Sequence, residues 1–114
     1  MVRRKDIESE INGYLKALGE LGFVYDKAIL FGSYAKGNPH EYSDIDLAVW
    51  SESFTDDYFN NIERTARLRR TFRNIELHPF NTKVSGENNP FIKEIENTGV
   101  LINPEEVFSF SKIH

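Results

Sequence analysis

The 114-residue sequence predicts an α/β domain in which helical and strand patterns alternate, with no repeat, linker or low-complexity stretch between them. Three observations lead to that expectation. Ile7, Ile11, Tyr14, Leu15, Leu18 and Leu21 recur at helical spacing. Residues 28–31 and 45–50 are short continuous apolar runs, the pattern of strands covered on both faces. Residues 74–80 alternate, with Ile75 and Leu77 on one face and Glu76, His78 and Phe80 on the other.

In order along the chain, residues 6–21 form the first predicted helix. Asp6 suits its cap or first turn, Gly22 suits its exit, and Glu8, Glu10, Lys16 and Glu20 fall away from the apolar stripe. The strand 28–31 stops at Gly32-Ser33. Gly-Asn-Pro at 37–39 forbids a long helix next, so a single turn over 33–36 is expected. The second strand is 45–50, and Asp46 within it needs an explanation, because a central strand tolerates charge poorly. Trp50 and Tyr34 are read as core.

Residues 55–72 read as one helix, with Thr55 as cap, Asp56 and Asp57 in the first turn, and Phe59, Ile62 and Ala66 as its buried stripe. Arg64, Arg67, Arg69 and Arg70 lie on its remaining surface, with Arg73 just beyond. They form either a solvated face containing a Glu63–Arg67 pair or a dock for an acidic partner or polynucleotide. Pro79 assigns residues 74–80 to an edge strand or a strand end. A polar loop follows at 81–90, then a short helix over 90–97 leaving at Gly99, and a short strand over 100–102. Asn103-Pro104-Glu105-Glu106 has the form of a helix start, so a short final helix is expected.

The totals narrow the functional classes. Hydrophobic residues at 39% and charged residues at 28% fit an ordinary globular chain of one domain over 1–114. A net charge of −4 disfavours wholesale attraction to nucleic acid, though a local basic patch is compatible with it. The absence of cysteine excludes disulfides and thiolate zinc sites. The opening MVRRKDIESEI has no apolar segment of the signal-peptide kind and no run approaches membrane-spanning length, so a cytoplasmic protein without membrane contact is expected.

The chemistry concentrates between Gly32 and Glu76. Asp44 and Asp46 are two apart at the head of a strand, so both carboxylates should face one site. Their mutual repulsion and lost hydration are both relieved by a hard divalent cation such as magnesium, which also takes ligands from substrate phosphates. Alone, such a pair equally well starts a turn. Gly32 permits close backbone approach, Ser33 offers a hydroxyl and an amide, and Lys36 adds a point charge for a phosphate. The spacing is not that of a Walker A loop. Glu76, laid beside the strand of Asp46, would add a third carboxylate to a two-metal transfer site or act as general base. His78 shares its face and is either its hydrogen-bonding partner or a partly exposed strand histidine. His40 is expected in solvent, and neither histidine is assigned to metal.

Gly32-Ser33-Tyr34-Ala35-Lys36-Gly37 followed by Ser43-Asp44-Ile45-Asp46-Leu47 resembles the GSxAxG…SDxDL signature of the DNA polymerase β-like nucleotidyltransferases, specifically the minimal nucleotidyltransferase (MNT) class. The likeness covers roughly residues 29–49, with Glu76 extending it. It implies a mixed sheet flanked by helices, with Asp44, Asp46 and Glu76 as catalytic and metal-binding residues. Gly32, Ser33, Lys36 and Ser43 are implied on the nucleotide. Many relatives carry aspartate where Glu76 stands, and the longer side chain changes the reach to the metal.

It further implies transfer of a nucleoside monophosphate, AMP from ATP, onto an acceptor hydroxyl with two magnesium ions. MNT proteins are commonly encoded with a helical HEPN-type toxin, whose tyrosine they adenylylate as antitoxins. Two alternatives accompany that reading: a non-catalytic antitoxin that neutralises its partner by contact, and a transferase acting on a small molecule or an RNA end. Exposed apolar residues near the C-terminus would suit a homo-oligomer.

Overall fold

The computed structural model describes residues 4–39 and 44–110. The elements run α1 (Arg4–Glu20), β1 (Tyr25–Phe31), α2 (Ser33–Lys36), β2 (Ile45–Ser51), α3 (Tyr58–Arg64), α4 (Ala66–Thr71), β3 (Ile75–Phe80), α5 (Pro90–Thr98) and β4 (Val100–Ile102). The four strands form one mixed sheet in the order β3-β2-β1-β4. β1 is antiparallel to both β2 and β4, whereas β2 and β3 are parallel and are joined through the α3–α4 crossover.

Each face of the sheet has its own apolar layer. On one, Ile7, Ile11, Tyr14 and Leu18 of α1 pack with Leu30, Leu47, Val49 and Leu77, and the layer is completed by Leu68, Phe108 and Phe110. On the other, Ile92 and Ile95 of α5 cover Ile29, Ala48 and Trp50. Trp50 and Tyr34 both belong to these layers, and the Trp50 indole N–H donates to the Val84 carbonyl at 3.0 Å. Pro79 lies in an outer strand, where its missing N–H costs no ladder bond.

Four expectations are corrected. The helix expected over 55–72 is two helices broken at Thr65, whose hydroxyl donates back to the carbonyls of Asn61 and Ile62. It starts on Asp57, whose carboxylate accepts from the Asn60 amide, while the Thr55 hydroxyl accepts from the Asp57 amide. The buried stripe changes as well. Phe59 is 80% exposed and Ala66 is exposed, whereas Asn61, Thr65 and Leu68 are buried. Asn61 can be buried because its side chain bonds both the amide and the carbonyl of Thr55.

The helix expected after Asn103 does not form among the described residues. Asn103 instead caps a turn by accepting from the Glu105 amide. The segment is then pinned in non-helical form, because the Asn12 side chain donates to the Phe108 carbonyl at 3.0 Å and accepts from its amide at 2.7 Å. Burial of Phe108 and Phe110 outweighs the local helix signal.

Candidate active site

The site lies at the end of the sheet where β1 exits and β2 and β3 begin. Two features hold that corner together. The Glu10 carboxylate of α1 accepts from the Asn74 amide and from its side chain, both at 2.9 Å, and the Ile45 amide donates to the Asn74 carbonyl at 2.6 Å. The heads of β2 and β3 are thereby fixed to each other and to α1.

The parallel register then places Asp46 directly opposite Glu76, and Ala48 opposite His78. Because side chains alternate along a strand, Glu76 and His78 share one face, and Ile75 and Leu77 turn into the core. One ligand atom from each of Asp46, Glu76 and His78 lies within 4.8 Å of the others. The His78 Nε2 faces the Asp46 carboxylate at 3.3 Å. The His78 ring also meets Phe31 at 4.8 Å and Phe91 at 6.0 Å between centroids, so its orientation is set by packing.

Asp44 stands just ahead of β2, exposed and outside that group. It reaches the site through Glu76, with which it lines a cavity of about 170 Å³ beside β3. Partial desolvation, a hydrogen bond with Asp46 and the negative charges of Asp46 and Asp44 together raise the Glu76 carboxyl above its ordinary range, against the opposing pull of His78. A carboxyl so crowded by like charge favours either a proton or a cation. Asp46 and Glu76 offer hard carboxylate oxygens and His78 a softer imidazole nitrogen, a group able to hold a divalent cation.

On the other side of Asp46 lies Gly32. Its φ of +78° belongs to the left-handed region, and a Cβ placed there would lie 2.4 Å from the Asp46 carboxylate. Only glycine lets the backbone come this close. The chain then makes the single turn of α2, closed by the Lys36 amide donating to the Gly32 carbonyl, so the amides of Ser33 to Ala35 precede the first bond of that turn. Lys36 ends the turn exposed. Ser43 and His40 lie outside the described residues.

Sequence periodicity left His78 open between two readings, and it now stands beside both carboxylates. It did not point to the remaining wall of the cavity, which Tyr14, Tyr58, Arg69 and Arg73 supply. The four-residue spacing of the two arginines was the available signal, but the break at Thr65 decides where they face.

The chain was compared with known proteins. Residues 10–106 match the family model for polymerase beta, nucleotidyltransferase. Among solved structures, the chain is similar to a Sulfolobus solfataricus protein assigned as a nucleotidyltransferase, with 15% identity, a TM-score of 0.66, and coverage of 94% of this chain and 89% of that one. A toxin–antitoxin crystallised with AMP-PNP gives 22% identity, a TM-score of 0.59 and coverage of 93% and 76%. A toxin–antitoxin MntA–HpeT mutant with two aspartate-to-glutamate changes gives 19% identity, a TM-score of 0.57 and the same coverage. No curated protein matches. With most of its length matched and the mixed sheet in place, the chain belongs to the polymerase beta nucleotidyltransferase family.

Proposed function

We propose that this protein is a magnesium-dependent nucleotidyltransferase that moves AMP from ATP onto a hydroxyl of a HEPN-type toxin partner, and so acts as an antitoxin. The observation that carries this reading is the placement of Glu76 opposite Asp46, with Gly32 packed against the far side of the same carboxylate. The fold likeness to toxin–antitoxin proteins, one of them crystallised with AMP-PNP, supports both the nucleotide and the partner.

In this reading Asp44, Asp46 and Glu76 hold two cations, while Gly32, Ser33, Lys36 and Ser43 hold the triphosphate. Bound magnesium supplies charge neutralisation on the phosphates and a more acidic acceptor hydroxyl. The hydroxyl oxygen bonds to the α-phosphorus as the bond from that phosphorus to the bridging oxygen breaks. Pyrophosphate leaves and Glu76 accepts the hydroxyl proton. His78, through its contact with Asp46, keeps that carboxylate in one orientation. In this reading the groups that act on the nucleotide belong to one nucleotidyltransferase domain over 1–114, with a cytoplasmic setting. Among the described residues, no helix is long and apolar enough to cross a membrane.

The test incubates the protein with magnesium, labelled ATP and its helical partner, and compares wild type with Asp44→Asn/Asp46→Asn. Metal ligation contributes several kcal/mol to such transition states, so the double substitution should lower label transfer by about 10³-fold or more. Neutralisation of the partner that survives the double substitution, with no label transferred by wild type, would establish the contact-only antitoxin instead.

A further inference from the structure

The cavity beside β3 shares Asp44 and Glu76 with the candidate active site but includes none of Gly32, Ser33 or Lys36. Sheet order explains why. Gly32 follows β1, Asp46 is on β2 and Glu76 is on the outer strand β3, so the phosphate turn and the cavity approach the carboxylates from opposite sides. Phosphoryl transfer places the attacking and leaving oxygens roughly in line on opposite sides of phosphorus. With pyrophosphate departing on the Gly32 side, an acceptor that reaches Glu76 from the β3 side comes by way of this cavity. At about 170 Å³ the space is smaller than the roughly 300 Å³ at which drug-sized ligands are enclosed, so it suits a single side chain.

Arg69, Arg73 and Tyr58 also line the cavity. Arg64, one turn earlier, is committed elsewhere. It donates to the Ser53 carbonyl at 2.7 Å and lies over the Phe23 ring. Arg69 and Arg73 have no hydrogen-bond or ion-pair partner among the described residues, and both are exposed. The cavity is therefore lined by acidic and basic side chains together. A ligand that matches it presents a neutral hydroxyl to the carboxylates and an anionic group to the arginines.

Building on the nucleotidyltransferase reading above, we infer that the acceptor is a hydroxyl-bearing side chain in an acidic polypeptide segment, anchored through carboxylates on Arg69 and Arg73. A polynucleotide end fits less well. Only two of the arginines on this stretch line the cavity, and the net charge of −4 disfavours a run of phosphates. Planar guanidinium forks match carboxylates in paired hydrogen bonds, and aromatic walls suit a phenol.

The experiment measures fluorescence anisotropy of three labelled peptides with the full chain: tyrosine flanked by glutamates, by glycines and by lysines. An oligoadenylate serves as competitor, and the same peptides are then offered as acceptors with ATP and magnesium. The glutamate peptide should bind about tenfold tighter than the glycine peptide. Arg69→Gln/Arg73→Gln should remove that preference at an unchanged thermal midpoint, and Asp44→Asn/Asp46→Asn should keep it while losing transfer. Equal binding of acidic and neutral peptides overturns the inference, as does a preference that survives loss of both arginines. An oligoadenylate that displaces the acidic peptide at equal or lower concentration also overturns it. These outcomes are read without catalysis, so failure of transfer to every acceptor counts against the nucleotidyl reading separately.

Discussion

The two faces of the sheet are built to different ends. One is sealed by α1, α4 and the pinned segment at Phe108 and Phe110, over Leu30, Ile45, Leu47, Val49, Ile75 and Leu77 of the strands. The other is sealed only where α5 lies on Ile29, Ala48 and Trp50. At its first turn α5 reaches Phe31 and His78 only through Phe91, and the same strands there carry Asp46 and Glu76. The charge inside β2 that looked anomalous in a central strand is therefore tolerated because its face is left uncovered at that end. Stability is concentrated on the sealed face, and chemistry on the open one.

The largest expected effect on folding separates these faces. Leu30 is fully buried in the sealed layer, and Leu30→Ala should cost about 2–5 kcal/mol through lost transfer energy and the cavity left behind. For a domain of this size that lowers the thermal midpoint on the order of 10 °C or more. Nucleotidyl transfer per folded molecule, assayed well below the transition, should be unchanged. A parallel loss of transfer in the folded fraction would show that the two faces are not independent.

A pair of glycines sharpens the same contrast at smaller amplitude. Gly32 and Gly37 flank α2 with nearly equal φ values of +78° and +79°. Their ψ values differ: Gly37 at +16° is left-handed helical, where alanine costs roughly 1–2 kcal/mol, whereas Gly32 at −154° lies in a region held almost only by glycine, so Gly32→Ala should destabilise more than Gly37→Ala. Only at Gly32 does the new Cβ meet the Asp46 carboxylate, because nothing lies within 4 Å of a Cβ at Gly37. Displacing a catalytic group by about 1 Å can cost about 10²-fold, and Gly32→Ala alone should show such a loss of transfer per folded molecule. Equal activity in the two variants would remove the close approach from the mechanism.

How much of this was legible in the sequence follows from the range of each interaction. α1 and β2 were readable because their patterns are local, and so was the Gly-Ser turn followed by the two aspartates. The break at Thr65 was not, because it goes with the Thr65 hydroxyl bonding back to the Asn61 and Ile62 carbonyls. The missing last helix depends on Asn12 and Phe108, which meet across 96 positions. Both failures come from side chains bonding backbone groups, a choice that apolar spacing does not register. The arginines of the cavity were hidden for the same reason, since the break sets where α4 points.

The smallest expected effect tests whether the open face is held under electrostatic tension. Glu76 keeps its proton to higher pH in the folded protein than in the unfolded chain, chiefly through desolvation and its contact with Asp46. Folding therefore takes up proton as the two states titrate apart. This group favours the fold at acid pH, and that contribution is lost as pH rises from the ordinary carboxyl range through the raised value. Glu76→Gln removes the titration. The variant should match wild type near pH 4 and exceed it at neutral pH, by less than about 1 kcal/mol because the residue is exposed to screening solvent. Urea midpoints measured across this range check the sign. Adding magnesium at neutral pH should stabilise wild type more than Glu76→Gln, because the cation meets the repulsion that the substitution has already removed. A wild type that gains stability between pH 4 and 7 relative to the variant would mean that the carboxylates of the open face are held together without strain.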